Sequence, residues 1–329
     1  MHPDTSKVDL AIAGYGAWGR KLVHSVRDTS DRVRFSTMIT RDPDARVAEA
    51  AEAGMRCIGS LGEVLEEGTV DGIVLATPHS RHADEVTLCG RAGMPVFVEK
   101  PFALCHSDAV RALDACPDGL VVAAGHNRRF LPAVIELGSM VAAGDLGRIL
   151  CAEGNFSGNV VGRYAAGQWR ASRSESPAGG LAGAGIHILD LVGHLVAPII
   201  SVAALSGRRA LDIDMDDTTS VLLDLDGGAQ AVLVSVMASA PDFRLKLFGT
   251  KASAELRGER ELVIVPVNGA PTVHTFEPVD TERAELEAFA DAILGGAPYP
   301  VTHDEILVGV AALEAIGQAA ARRCWVNLP

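Results

Sequence analysis

Short apolar runs alternate with amphipathic stretches over positions 1–124. Residues 8–13, 33–39, 72–76, 95–98 and 120–124 read as strands, each closed by a turn or breaker signal. Between them, residues 20–27, 43–53, 80–92 and 107–115 carry apolar positions on one face at helical spacing. Asp42 ahead of Pro43 has the chemistry of an N-cap followed by a proline at the first helical position. Strand and helix in strict alternation predict a parallel sheet with helices on both faces.

The pattern changes after Gly125. A helix over 130–143, closed by Gly144, leads into a strand over 148–156 and, past a Gly/Ser-rich loop, a helix over 185–197. Strands then follow one another at 200–205, 218–225, 229–237, 244–248 and 253–256. Asp226-Gly227-Gly228 is a hairpin signal between two of them. Helices over 282–294 and 304–322 close the chain. The expected architecture is an N-terminal doubly wound α/β domain, 1–124, and a C-terminal α+β domain, 125–329, around a large, mostly antiparallel sheet.

A chain of 329 residues suits two domains, each large enough for its own core. No apolar stretch approaches the roughly 18 residues of a membrane helix. The polar start, Met1 to Lys7, runs straight into a strand without a signal-peptide pattern, so the expected location is cytoplasmic. Six scattered cysteines form no Cys-x-x-Cys pair, which argues against a disulfide framework and a cysteine zinc site. A formal charge of −13 argues against bulk nucleic-acid binding, but leaves room for a small anion in a local basic pocket.

The first candidate chemistry lies between the first strand and helix. Gly14-Tyr15-Gly16-Ala17-Trp18-Gly19 matches G-x-G-x-x-G in the context that makes the motif meaningful. Glycines let the backbone approach a pyrophosphate, and the helix N-terminus offers free N–H groups. The expected fold is therefore a dinucleotide-binding Rossmann domain. At the end of the second strand, an NAD site usually carries a carboxylate for the ribose hydroxyls. Here Thr40-Arg41 stands there, and Arg41 can pair with a 2′-phosphate. NADP(H) is the expected cofactor, with NAD(H) possible. Asp42 is either the helix N-cap or, if the strand runs two residues further, the ribose ligand.

Further motifs carry a resemblance. Residues 71–82, which hold Ala76-Thr77-Pro78-His79 and His82, and residues 93–101, which end in Glu99-Lys100-Pro101, join the glycine turn. With residues 125–132, 145–148 and 185–190 they make the chain resemble the Gfo/Idh/MocA oxidoreductases over nearly its whole length. The resemblance implies that Gly14 to Gly19, Thr40, Arg41, Ala76, Thr77, Pro78, His79, His82, Glu99 and Lys100 bind cofactor. It also implies that the Lys100–Pro101 bond is cis, and that the matching lysine binds substrate and supports proton transfer. Independently of the family, an ammonium at the carboxyl end of a strand can hold a substrate hydroxyl and stabilise the alkoxide that develops as hydride leaves.

His187 suits acid–base work near neutral pH. It shares a helix face with Asp190 and His194, a spacing that also admits a metal, but no fourth ligand suggests itself and none is expected. Many family members place an aspartate four residues before this histidine; here the position is Gly183. Either His187 moves the proton alone, another residue substitutes, or turnover is lost. The resemblance makes the loop 163–173 a cover for nicotinamide and substrate, with Tyr164, Trp169 and Arg170, besides Arg128, Lys100 and His187, as substrate residues. The expected activity is NAD(P)-dependent hydride transfer at a secondary alcohol or ketone of a sugar, cyclitol or related polyol. The alternatives are an imine, dihydrodiol or keto acid substrate, or a cofactor-binding sensor. Family resemblance and the apolar alternation of Val232, Val234 and Val236 imply a homodimer or homotetramer.

Overall fold

A computed structural model describes residues 7–164 and 167–329. They form two compact units. The first comprises residues 7–103, 107–127 and 280–303; the second comprises residues 104–106, 128–279 and 304–329.

The first unit is built on six parallel strands in the order β3-β2-β1-β4-β5-β6. They are β1 (Val8–Ala13), β2 (Val33–Ile39), β3 (Arg56–Ile58), β4 (Gly72–Leu75), β5 (Val96–Glu99) and β6 (Val122–Gly125). This is the doubly wound order, with its switch point beside β1. Helices α1 (Ala17–Val26), α2 (Val47–Glu52), α3 (Leu61–Glu67), α4 (His82–Arg91) and α5 (His106–Asp114) follow the strands in turn. β4, β5 and β6 are buried along their whole length, as a strand covered on both faces must be. β3 and α3 were not expected from the pattern. β3 has three residues and sits at the sheet edge, too short for a period-2 signal.

A late segment returns to this unit. Helix α8 (Thr281–Ile293) packs on α1 and β2, capped by Asp280, whose carboxylate accepts the Arg283 N–H at 3.0 Å. Its Phe289 is fully buried, with its ring 5.9 Å from that of Phe97 in β5. Tyr299 Oη donates to the Ala124 carbonyl at 3.1 Å.

The second unit holds nine strands in the order β14-β13-β12-β11-β7-β10-β9-β8-β15. These are β7 (Ile149–Asn159), β8 (Ile199–Gly207), β9 (Thr218–Leu225), β10 (Gln230–Val236), β11 (Ala238–Gly249), β12 (Ala252–Arg257), β13 (Glu261–Pro266), β14 (Thr272–Thr275) and β15 (Val326–Asn327). All neighbours are antiparallel except β10 and β7. Helices α6 (Pro132–Ala143), α7 (Ile186–Leu195) and α9 (His303–Arg322) contribute Leu137, Leu191 and Leu313 to one core with Leu223, Leu233, Leu245 and Leu256 of the sheet. β13, β14 and β15 are additions to the expected set; the latter two are edge strands, where few residues need be apolar. No helix among the described residues is long and apolar enough to cross a membrane.

Candidate active site

β1 ends at Ala13 and the chain turns at once. Gly14 has φ +91°, and a Cβ there would lie 2.4 Å from the Ala76 carbonyl oxygen, so the turn presses against the end of β4. A Cβ on Gly19 would strike the Gly14 carbonyl oxygen at 2.1 Å, which sets the close approach of α1 to the turn. Gly16 has no such neighbour: nothing stands within 4 Å of its Cβ position. It is the N-cap of α1, without a side-chain cap and with no acidic residue in the first turn. The free N–H groups and the positive end of the helix dipole open onto that space. The arrangement fits a dinucleotide pyrophosphate.

Beside it lies a cleft of about 460 Å³, within the range of small-ligand sites. Of the residues expected to bind cofactor, Gly14, Tyr15, Gly16, Thr40, Arg41, Thr77 and Pro78 line it. Ala17, Trp18 and Gly19 form the first turn of α1. Ala76, His79, His82, Glu99 and Lys100 are not in its wall. Arg46, Ser60, Arg81 and Glu85 are, and the sequence reading missed them. Ser60 had a signal: its Oγ accepts the Glu63 N–H at 3.3 Å, the S-x-x-E spacing that starts α3.

Asp42 Oδ1 accepts the Ala45 N–H at 3.2 Å, but the N-cap of the short turn Asp44–Arg46 is Pro43 and α2 begins only at Val47, so the expected helix from Pro43 capped by Asp42 does not form. Thr40 and Arg41 line the cleft. Glu49 gathers two guanidinium groups, those of Arg46 and Arg20, which hold its carboxyl below the usual range. Glu85 is buried, accepts from Thr77 Oγ1 and pairs with Arg81 at 2.7 Å. Burial pushes its carboxyl up, against the Thr77 hydroxyl and the Arg81 charge.

At the end of β5, Glu99 is buried and Lys100 follows it, half-buried. The Lys100–Pro101 bond is cis, as the family resemblance led us to expect.

In the second unit, a π-helical turn over Leu181–Gly185 precedes α7. Such turns recur at functional sites. Cβ atoms on Gly180 and Gly185 would clash with Met237 at 1.9 Å and Leu181 at 2.6 Å, so packing dictates those glycines. Nothing lies within 4 Å of a Cβ on Gly183. His187 is buried in the first turn of α7, its ring 5.8 Å from that of Phe156. The guanidinium of Arg128 lies 5.7 Å from the Phe156 ring and 5.6 Å from the Phe243 ring, and pairs with Glu259 at 2.7 Å. His187, Phe156 and Arg128 are thus brought together.

Asp190 and His194 belong to another network. Asp190 takes two bonds from Arg129, at 2.9 and 2.7 Å, while His194 Nδ1 lies 3.1 Å from Arg129 and 2.8 Å from Glu305. These ties join the segment before α6 to α7 and α9. Among the described residues, no group of three or more His, Cys, Asp or Glu is placed to hold a metal ion. Tyr164 packs on a small cluster of Val160, Ala184, Leu211, Met215 and Met237. Arg170 lies 4.1 Å over the ring of Trp169, in the short turn Trp169–Ala171.

A glycine turn at a helix N-terminus in a doubly wound sheet, followed by an α+β unit, is the architecture of a dinucleotide-binding class. The chain belongs to the GFO/IDH/MocA oxidoreductases. The model of the oxidoreductase family with an NAD-binding Rossmann fold matches residues 8–126, and that of the GFO/IDH/MocA C-terminal domain matches residues 134–255. Inositol 2-dehydrogenase 2 of Saccharopolyspora erythraea is 26% identical, over 88% of this chain and 86% of its own. Among solved structures, aldose-aldose oxidoreductase from Caulobacter crescentus, complexed with glycerol, has a TM-score of 0.86 at 23% identity, over 98% of this chain and 100% of its own. Levoglucosan dehydrogenase, complexed with NADH and levoglucosan, has a TM-score of 0.87 at 19% identity, over 98% and 99%. At these identities the two structures speak for the fold.

Proposed function

We propose that this oxidoreductase transfers hydride between NADP(H), used in preference to NAD(H), and a secondary alcohol or ketone of a sugar, cyclitol or related polyol. The observation that carries the reaction is Lys100, which follows the buried end of β5 in the dinucleotide-binding unit. The nicotinamide supplies the hydride chemistry. Lys100 holds the reacting oxygen and favours its alkoxide form. His187 moves the proton. The named activities of the polyol and sugar relatives support the substrate class.

The cofactor preference rests on the wall of the cleft. Arg41 and Arg46 line it, while Asp42 is not in its wall and accepts the Ala45 N–H. An arginine that faces a 2′-phosphate gives charge-assisted bonds that NAD(H) lacks. One observation favours an acidic substrate within this class: Arg128 Nε is buried without an acceptor beside Phe156, near His187. A carboxylate would satisfy it. The test is a turnover screen of polyols, sugar acids and keto sugars with both dinucleotides. Turnover of none of them, by a protein that binds the cofactor, would refute the reading.

We also assign a homodimer or homotetramer, and a cytoplasmic location. The open face of the nine-stranded sheet supports the assembly. In register there, Ala203, Leu222 and Val232 form an apolar row, and Leu205 and Trp325 stand 66% and 53% exposed beside it. Exposed apolar surface of this kind is commonly covered.

A further inference from the structure

The first unit buries a polar cluster that substrate chemistry does not use. Glu99, 6% exposed, ends β5, and its Oε1 has no hydrogen-bond partner. The indole N–H of Trp18, in the first turn of α1, faces this carboxyl without completing a bond to it. Asn127, 1% exposed, donates to Glu282 Oε1 at 2.8 Å and leaves its own Oδ1 unsatisfied. Glu282 also takes Lys21 at 2.7 Å, and that ammonium lies 4.7 Å over the Trp18 ring. Glu282 is thus neutralised by a dedicated partner. Among charged groups, the Lys100 ammonium favours the Glu99 carboxylate and Glu282 opposes it. Unsatisfied buried carboxylate atoms are expensive, and here three orphaned polar atoms belong to one cluster.

The place of Glu99 at the carboxyl end of the sheet gives the cluster a meaning. The Thr40–Arg41 cleft lies at the carboxyl end of β2, and the phosphate turn at the end of β1. In the order β3-β2-β1-β4-β5-β6, a dinucleotide with its adenosine at β2 and its pyrophosphate at β1 runs on toward β4 and β5. Glu99 terminates β5 on that side. The oxidised nicotinamide ring carries a positive charge that the reduced ring lacks.

We propose that Glu99 senses the redox state of the bound nicotinamide dinucleotide: it is ionised beside the oxidised ring and protonated beside the reduced one. The inference rests on the proposed reading that the Arg41 cleft takes the 2′-phosphate end of a bound NADP(H). Burial pushes the Glu99 carboxyl up to about 7, against the Lys100 ammonium and the Trp18 N–H. A small change in local charge therefore moves its proton near neutral pH. Binding the cationic ring favours the carboxylate and releases a proton to solvent; binding the neutral ring does not. Affinity for the oxidised form consequently rises with pH, while affinity for the reduced form lacks this component. The phosphate charges common to both forms cancel in the ratio. Other titratable groups near this end of the sheet are Lys100, Glu282 and Lys21, with His126 just past the Gly125 partner of Glu99 and Glu285 one turn along α8 from Glu282.

The test is dissociation constants of NADP⁺ and NADPH for the intact protein from about pH 6 to about pH 8, where one whole proton sets a ceiling of about tenfold per pH unit. The expected result is a several-fold rise in relative affinity for NADP⁺ with pH. Calorimetry in two buffers of different ionisation enthalpy should record proton release on NADP⁺ binding alone. Glu99→Gln should flatten the ratio. Lys100→Met should keep the dependence and move its midpoint to higher pH, since an opposing positive charge is gone. Trp18→Phe should move it the same way, and decides the matter if Glu99→Gln fails to fold. A flat ratio in the unaltered protein, a dependence that survives Glu99→Gln, loss of it in Lys100→Met, or an unmoved midpoint in Trp18→Phe overturns the proposal. Binding of neither dinucleotide would instead refute the cofactor reading itself.

Discussion

The fully buried imidazole of His82 lies with Nδ1 2.8 Å from the carbonyl oxygen of Pro101, the residue after Lys100. Its Nε2 lies 3.0 Å from the Thr77 carbonyl oxygen. Both oxygens can only accept, and a neutral imidazole has one N–H, so the ring donates to one of them in a given tautomer. One side chain at the start of α4 thereby ties the chain beyond β4 to the chain beyond β5. His82→Leu removes that N–H donor, at a cost of about 1–3 kcal/mol. Chemical denaturation should show that loss, and an unchanged midpoint would remove His82 from the scaffold of Lys100.

Arg41→Ala tests the cofactor assignment. A lost charge-assisted pair is worth about 1.5–3 kcal/mol, which is roughly 10- to 150-fold in NADPH affinity. NADH affinity should change little. Fluorescence titration reads both constants, and an equal loss for the two would return the ribose end to a neutral or acidic contact.

Lys100→Met should lower turnover by at least about 10²-fold on any accepted substrate, and leave NADPH affinity within a few-fold. His187→Asn should act the same way but less strongly if another group relays the proton. Gly183→Asp meets nothing within 4 Å at its Cβ position. It should raise turnover if the missing carboxylate limits proton transfer. Steady-state kinetics on one substrate compares all three, and full activity of Lys100→Met would end the mechanism.

Asp217 is 1% exposed and organises the loop ahead of it. Burial raises its carboxyl, but donation from the N–H groups of Ala210, Leu211 and Arg209 and from Thr218 Oγ1 outweighs that and lowers it. A lowered folded value stabilises the protein above the unfolded carboxylate value, near about 4, and the contribution is lost as pH falls through the folded value. Asp217→Asn should therefore melt lower than the unaltered protein at neutral pH, with the difference shrinking in acid. Thermal melts at both pH values check it.

Leu222 pairs in register with Val232 on one side and Ala203 on the other, and is 48% exposed. Leu222→Lys should shift the proposed oligomer toward monomer in analytical ultracentrifugation without loss of helix or sheet by circular dichroism. A monomer already in the unaltered protein at micromolar concentration would refute the assembly.

Much of this molecule is legible in the chain because the signals are local. The Gly14–Gly19 turn, the Asp226-Gly227-Gly228 hairpin and the buried runs of β4, β5 and β6 each declare themselves through backbone geometry or hydrophobic period within a few residues. Gly14 shows why: only glycine tolerates both its φ of +91° and the Ala76 carbonyl 2.4 Å from a Cβ position. Lys100 and His187 were legible as candidates because strand ends and helix starts present side chains predictably. Other features depend on contacts between distant positions. Nothing near residues 280–303 announces that α8 joins the first unit, since an amphipathic helix specifies that it buries a face but not against which partner. Asp190 shares a helix face with His187 by spacing, yet Arg129, 61 positions earlier, claims it. Glu99 reads as one charged letter among many; only the packing of Trp18, Asn127 and Glu282 around the end of β5 buries it, because desolvation is a property of the surroundings and not of the residue.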